Sequence, residues 1–368
     1  MSVYIHGGLR SPIGVLNGQY KHMRPEILGS QVIDEIINRY TISHIDGIFC
    51  GNAVGTGGNL GRLMGLMCNL PNSVPAITVD MQCASALMSI EIAYAHIVSG
   101  IMDSAIAGGI ESSSLQPERV YASGDDREGP YKVAQFTPQD QSPLAMLKGA
   151  ERTIHKYNVT KEDLYPHIIG SHQRASAALD NPYLQSYIMP ITIDGKRCID
   201  ECIRPTMNEK LLSRMKPLLG ADSITNAGNA CLTHDGAAFV YLSNKKGPFK
   251  IHSVKPWAGN PQFSPEGAIE STEAILKRTG LTMDDIDVVE WNEAFAIIDV
   301  LFDKTYPNHI GKYNMFGGAL AYGHPYGCSG AILVFHCMAA LESCGGRYGL
   351  CAIAGAGGTG SALIMERM

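Results

Sequence analysis

The chain has 368 residues, of which 45% are hydrophobic and 17% charged, and a net charge of −6. That length buries a large core and exceeds one ordinary domain, so two packed units are expected, while the negative balance argues against a general nucleic-acid surface. The 40 glycines follow no period and the 10 cysteines are too dilute for a disulfide framework, which excludes collagen-like and disulfide-stapled classes.

In chain order, residues 3–8 read as a first strand, and residues 26–40 have the apolar spacing of a helix. Residues 45–51 form a strand ending in glycine. A glycine-rich loop over 52–61 leads into a helix through Asn69. Residues 75–79 are a β-type run that stops at a short polar corner. A helix pattern of Ser85-Ala86-Leu87-Met88-Ser89-Ile90 follows at once. Residues 104–109 are a buried strand of small residues. Strands alternating with helices imply a mostly parallel α/β sheet.

The pattern changes after Glu111. Residues 113–143 are polar and carry four prolines; helices are expected at 144–157, 161–180 and 208–219, with an extended piece at 188–193. The stretch 113–223 therefore reads as an insertion over the α/β core, of the kind that covers ligands. Strands then return at 236–242, 249–256 and 286–291, with a helix at 265–279. Cys328-Ser329-Gly330-Ala331 opens a helix as Cys83-Ala84-Ser85-Ala86 does, and residues 350–355 parallel 104–108. The second half thus repeats the first. Its special corner at His324 occupies the place of the corner at Cys83, and a pseudo-twofold would bring the two together.

Cys83 sits where a strand turns into a helix, where free N–H groups and the helix dipole favour a thiolate. A lone cysteine is more often packing. His324, in the glycine-rich corner Gly323-His324-Pro325-Tyr326-Gly327, supplies the imidazole that an activated thiol nucleophile needs. Cys198 and Cys202 are the nearest cysteine pair, and no second pair stands at zinc-site spacing, so no metal is expected. No apolar stretch reads as a membrane span. The start Met1-Ser2-Val3-Tyr4-Ile5 lacks the features of a secretion signal, so a cytoplasmic protein with reduced thiols is expected.

Four blocks in order resemble the thiolases: Cys83-Ala84-Ser85, Asn292-Glu293-Ala294-Phe295-Ala296, Gly323-His324-Pro325-Tyr326-Gly327 and the glycine-rich C-terminus. The flanking runs Ala107-Gly108-Gly109-Ile110-Glu111, Thr225-Asn226-Ala227-Gly228-Asn229 and His234-Asp235-Gly236 fit as well. The resemblance implies an α/β thiolase fold of two duplicated halves in five layers (α-β-α-β-α) with an inserted loop domain. Residues 1–112 and 224–246 would be the N-terminal half, 113–223 the loop domain and 247–368 the C-terminal half. It implies acyl transfer between Cys83 and coenzyme A, with condensation or thiolysis of 3-ketoacyl-CoA of the acetoacetyl type. Coenzyme A thioesters would be the substrates and no separate cofactor is needed.

Carried over residue by residue, Cys83 would be acylated, and His324 would take its proton and help bind the thioester oxygen of a second acyl group. Asn292 would hold a water in that oxyanion site. The N–H groups of Cys83 and Ala356 would bind the acyl-enzyme oxygen. Met146 would line the substrate pocket, Phe295 would contact substrate or coenzyme A, Arg204 would meet the adenine end of coenzyme A, and Cys231, a serine in the family, would lie by the pantetheine arm. A homodimer or homotetramer paired across a sheet edge is also implied.

The chain departs from the pattern in one important place. The family's C-terminal Cys-x-Gly, whose cysteine moves the α-carbon proton, is here Ala354-Gly355-Ala356. Cys351 lies three residues upstream and on a strand would face the other side. Asp80 replaces a usual Asn, and Ala145 and Leu147 flank Met146 in place of His and Gly. The alternatives are therefore decarboxylative condensation, plain acyl transfer or hydrolysis, or a non-catalytic partner subunit. The run Gly355-Ala356-Gly357-Gly358-Thr359-Gly360 also matches a dinucleotide fingerprint. Only eight residues follow it, too few for the helix, strand and acidic residue such a site requires.

Overall fold

The structure, a computed structural model, describes every residue except Gln139, Gln141 and Leu232. The first half contributes β1 (Tyr4–Arg10), β2 (Gly47–Gly51), β3 (Ala76–Val79), β4 (Ser104–Ser112) and β5 (His234–Ser243). The second contributes β6 (Phe249–Ala258), β7 (Val288–Trp291), β8 (Tyr348–Gly355) and β9 (Thr359–Arg367). Their spatial order is β3-β2-β4-β5-β1, then β6-β9-β8-β7. The halves join where Tyr4 and Ile5 pair with Lys250 and Phe249.

The duplication is visible in this order. In each half the first strand lies against an antiparallel last strand, which lies against the strand after the central helix, which pairs in parallel with the second strand. The counterpart of β3 in the second half shrinks to one parallel bridge, Val289 to Tyr313.

The helices that flank these strands are α1 (Pro25–Arg39), α2 (Ser85–Val98), α3 (Ala145–Lys156), α4 (Lys161–Ala177), α5 (Gly267–Thr279), α6 (Ile297–Thr305) and α7 (Tyr326–Cys344). Side chains alternate across a strand, and the three cores follow. Ala105 and Ala107 of β4 face inward with Cys351, Ile353 and Leu363, enclosing Leu87 and Ile90 of α2 and Val334 and Phe335 of α7. Ile106 and Ile110 face outward onto Val32, Ile33 and Ile36 of α1. Val289, Trp291 and Ala352 face outward onto Ile275 of α5 and Ile297 of α6. Two half-sheets with three helix layers make the expected five-layered arrangement.

Helix α7 has 19 residues with hydropathy 1.4, long and apolar enough to cross a membrane. The sequence reading found no such stretch and is corrected here. In its most apolar 18-residue window 83% of the residues are buried inside the fold, so its apolarity serves the middle layer, where every face of a helix meets protein.

Three other boundaries differ from expectation. The helix after the glycine-rich loop spans only Leu60–Gly65. The helix anticipated over 208–219 is the single turn Glu209–Leu212. Beyond it Pro217 pairs with Asn226 in an isolated bridge, so the chain has left helical conformation by then. Strand β9, unrecognised in the sequence, is an almost fully buried run whose pattern lacks alternation.

Within the insertion, Thr160 and Asp163 form a reciprocal capping box that starts α4. Asp200 anchors the later part to β1. It accepts both Arg10 NH1 and NH2 at 2.8 Å and the Ile13 N–H at 2.7 Å.

Candidate active site

Glycine brings the two special corners together. The first turn of α7 crosses β2 and β4 so closely that a Cβ on Gly327 would lie 2.7 Å from both Asn52 Cα and Ile110 O. Glu111, at the end of β4, then ties the halves. Its carboxylate accepts the Asn52 amide at 2.9 Å, the Ala53 and Val54 N–H groups at 2.9 and 3.2 Å, and the Gly327 N–H at 2.9 Å. Burial pushes this carboxyl up to about 7, and the three backbone N–H donors oppose that. Replacing it with the isosteric amide puts an NH₂ against a buried N–H. Glu111→Gln should therefore cost about 1–3 kcal/mol for each donor left without an acceptor, read as a lower urea midpoint. An unchanged midpoint would show that the latch adds nothing to stability.

Cys83 lies in the 3₁₀ turn Gln82–Ala84 that precedes α2. Gln82 has φ +52°, an uncommon conformation for a non-glycine residue. Three contacts hold it. Asp80 accepts the Gln82 N–H at 2.8 Å, Ser85 Oγ accepts the Met81 N–H at 2.9 Å, and the Ser85 hydroxyl donates to Gln82 O at 2.6 Å. An acceptor oxygen suffices at position 80, which is why Asp serves where Asn was anticipated. Burial pushes the Cys83 thiol up to about 12, while hydrogen bonds from the backbone N–H groups of Cys83 and Ala356 pull it down. The backbone of Ala356, at the end of β8, thus comes close to Cys83.

His324 is 1% exposed. Its Nδ1 lies 2.6 Å from Ser329 Oγ, and the Ser329 hydroxyl donates to Pro325 O at 3.0 Å. With its single proton used there, Ser329 accepts from Nδ1–H and leaves a lone pair on Nε2. That nitrogen faces Asn292 Nδ2 at 3.4 Å. Burial depresses His324 to about 3, so the ring is a neutral base. The Tyr326 ring stands edge-on to it at 4.9 Å, and burial near Cys83 and Cys231 pushes the Tyr326 hydroxyl up. Ser329→Ala removes the tautomer-setting acceptor and should slow acylation of Cys83 about tenfold or more, measured as single-turnover acyl-enzyme formation. An unchanged rate would mean the serine does not hold the ring.

Asn292 continues β7, its N–H donating to Ala352 O at 3.0 Å. It does not cap the next helix, because α6 starts only at Ile297 with Ala296 as its cap residue. Glu293 points the other way. It accepts from Ser171 Oγ at 2.6 Å, Asn314 Nδ2 at 2.9 Å and the Leu320 N–H at 3.1 Å, with Arg174 at 3.7 Å. It thus fastens α4 of the insertion to the strand that carries Asn292.

A cavity of about 360 Å³ opens beside this centre, lined among others by Arg204, Cys231, Cys202, His234 and Leu320. Arg204 is exposed at it and donates to Glu201 O at 2.6 Å. Cys231 Sγ donates to Ala319 O at 2.9 Å. Met146 and Phe295 are not among the lining residues. Both pack in the outer core of the second half, and Phe295 reaches the cavity wall only through its backbone bridge to Ala230. Ala354 packs in that same core, its Cβ facing Gly267. Cys351 points to the middle layer beside Cys337. The two residues do face opposite sides of β8.

The thiolase N-terminal domain model matches residues 3–246 and the thiolase C-terminal domain model residues 248–367. The chain is a member of the thiolase family. It is 31% identical over 387 residues to the steroid 3-ketoacyl-CoA thiolase FadA6 of Mycobacterium tuberculosis, covering 99% of this chain and 94% of the relative. VraB of Staphylococcus epidermidis, named as an acetyl-CoA C-acetyltransferase, is 33% identical over 345 residues, 88% of each chain. The crystal structure of the Bacillus anthracis acetyl-CoA acetyltransferase superposes with a TM-score of 0.92 at 25% identity, over 100% of this thiolase and 99% of that one.

The sequence reading missed three participants. Glu111 was legible as a carboxylate closing a buried run of small residues. Ser329 stands five residues after His324, a spacing that becomes a contact only once the helix turn is formed. His234 opens β5, and its partners come from distant segments. Among the described residues no group of three or more ligand-type side chains could hold a metal.

Proposed function

We propose that this thiolase transfers acyl groups between Cys83 and coenzyme A, acting on 3-ketoacyl-CoA of the acetoacetyl type. One observation carries the reading: the turn that holds the buried Cys83 packs against the first turns of α7, directly after the neutral His324. At rest the thiol and imidazole are both neutral. His324 Nε2 takes the thiol proton as sulfur attacks the thioester carbonyl. The backbone N–H groups of Cys83 and Ala356 stabilise the oxyanion, and coenzyme A leaves as its thiol after protonation. Asn292 and a water it would hold, with His324, would bind the oxygen of the second acyl group. Arg204 and Cys231 support binding of the adenine end and pantetheine arm along the cavity. Incubation with acetyl-CoA should add one acetyl mass to the peptide containing Cys83. Label on Cys328 or Cys351, with Cys83 free, would overturn the assignment.

Ala354 favours a second reading of the later steps. Without a thiol there, decarboxylative condensation, plain acyl transfer or hydrolysis demands less of the site, since loss of carbon dioxide creates the carbanion without proton abstraction. A non-catalytic partner role is disfavoured by the complete Cys83 and His324 arrangement. Coenzyme A thioesters serve as substrates with no further cofactor, and the ten unpaired thiols fit a reducing, cytoplasmic setting.

We also infer a homodimer or dimer of dimers. Strand β3 ends the sheet, Ile77 on it is 42% exposed, and Leu63, Leu66 and Met67 beside it are exposed as well. An open edge with an apolar flank calls for a cover. Light scattering at micromolar concentration should give at least a dimer mass, and a monomer would count against the inference.

A further inference from the structure

Cys202 and His234 form a thiol–imidazole pair in the cavity wall that acyl transfer as described does not use. Cys202 Sγ lies 3.0 Å from His234 Nε2, and both residues line the cavity. On the opposite side of the ring, Nδ1 accepts the backbone N–H of His324 at 3.0 Å. The ring also rests on Gly323, where φ is +107° and a Cβ would stand 2.6 to 3.0 Å from three of its atoms. No side chain larger than hydrogen fits between them.

The accepting role of Nδ1 decides the chemistry of the pair. A neutral imidazole carries one proton, so a lone pair on Nδ1 places that proton on Nε2. Nε2–H therefore donates to the Cys202 sulfur. A second proton on the ring would set an N–H against the His324 N–H. His234 thus cannot take a proton from Cys202 without releasing His324, and the pair is no second nucleophile. Cys202 itself is held in place, since Asp200 two residues earlier is locked to buried Arg10.

We propose that His234 is a positioning residue for acyl transfer: it holds the backbone of His324 and Gly323, and Cys202 fixes the tautomer that lets it do so. His324 enters from a loop between the short helix Ala319–Tyr322 and α7. Its N–H finds its acceptor in this ring, so the ring sets where Nε2 of His324 stands relative to Cys83. The inference rests on the acyl-transfer reading above.

The test uses the full chain and acetyl-CoA, following single-turnover acylation of Cys83 by mass spectrometry. His234→Ala leaves a buried N–H without an acceptor and should slow acylation about 10- to 100-fold at saturating acetyl-CoA, with little change in the concentration giving half-maximal rate. His234→Asn offers a carbonyl oxygen to His324 N–H and an NH₂ towards Cys202, and should recover most of the rate. Equal rates for His234→Ala and the unaltered protein would overturn the proposal. So would an Asn variant as slow as the Ala variant while folded by circular dichroism. Long-range ¹⁵N–¹H spectra of histidine-labelled protein, assigned with His234→Asn, should show the His234 proton on Nε2; a proton on Nδ1 would overturn it even if the variants failed to fold. If the unaltered protein is never acylated, the acyl-transfer reading fails instead, and the tautomer spectrum still decides the placement of the proton.

Discussion

Cys83→Ala should abolish turnover, by on the order of 10⁶-fold as for loss of a nucleophile elsewhere, and should abolish acyl-enzyme formation altogether. The backbone N–H groups of Cys83 and Ala356 favour the thiolate of this residue. Four of the other cysteines are poorly placed to substitute. Cys328 and Cys351 are fully buried in the middle layer, and Cys231 and Cys202 are held by Ala319 O and His234. The fold should survive, because a thiol and a methyl group differ little in such a turn and the contacts of Asp80 and Ser85 are untouched. A variant that still acquires an acetyl mass would mean that the nucleophile is another thiol. Cys231 would be the one to replace next, since it lies within electrostatic reach of Cys83.

The second large effect concerns Ala354. Acylation of Cys83, as proposed, requires a thiol, a neutral imidazole and an oxyanion hole, and none of these depends on residue 354. Making or breaking the carbon–carbon bond also requires a proton to move at the α-carbon. Ala354 carries none, and Cys351, on the other face of β8, is buried in the same core as Cys337. Loss of a positioned acid/base costs about 10²–10⁴ in rate, or roughly 3–5 kcal/mol of barrier. The unaltered protein should therefore form acyl-enzyme readily yet synthesise and thiolyse acetoacetyl-CoA slowly. Malonyl-CoA, if it enters the cavity, should bypass the deficit.

Ala354→Cys should raise the carbon–carbon step by up to that factor and acylation much less. Gly267, having no side chain, borders the Ala354 Cβ in the outer core, which leaves room for a thiol, and the gain requires that thiol to turn toward Cys83 in the middle layer. The comparison to make is acetoacetyl-CoA thiolysis against single-turnover acylation in both proteins. If the unaltered chain thiolyses acetoacetyl-CoA as fast as the variant, another group moves that proton.

Much of this molecule is written locally. Strands β1, β2 and β4 and helices α1 and α2 follow from period and glycine punctuation, because their patterns record which face is buried. The strand-to-helix corner at Cys83, the repeated corner at His324 and the substitution at Ala354 are one-dimensional facts. So is the opposite facing of Cys351, which follows from the two-residue period of a strand. Where the local signal is ambiguous, the reading erred. Strand β9 is buried on both faces and lacks alternation. The apolar spacing after Asn208 suggested three turns where only one forms. The apolar run of α7 marks a middle layer only when two half-sheets are known to enclose it.

Other features existed only after folding. Glu111 meets Gly327 across 216 residues of chain, and neither position signals the other in sequence. The tautomer of His324 depends on which acceptor the Ser329 hydroxyl finds. The link from Cys202 through His234 to His324 joins three segments, each with an ordinary local pattern. Hydrogen bonds between distant segments require a shared, dry interior in which a polar group must find a partner. Local periodicity reports which side of a segment is buried, and only the packed halves decide what it meets there.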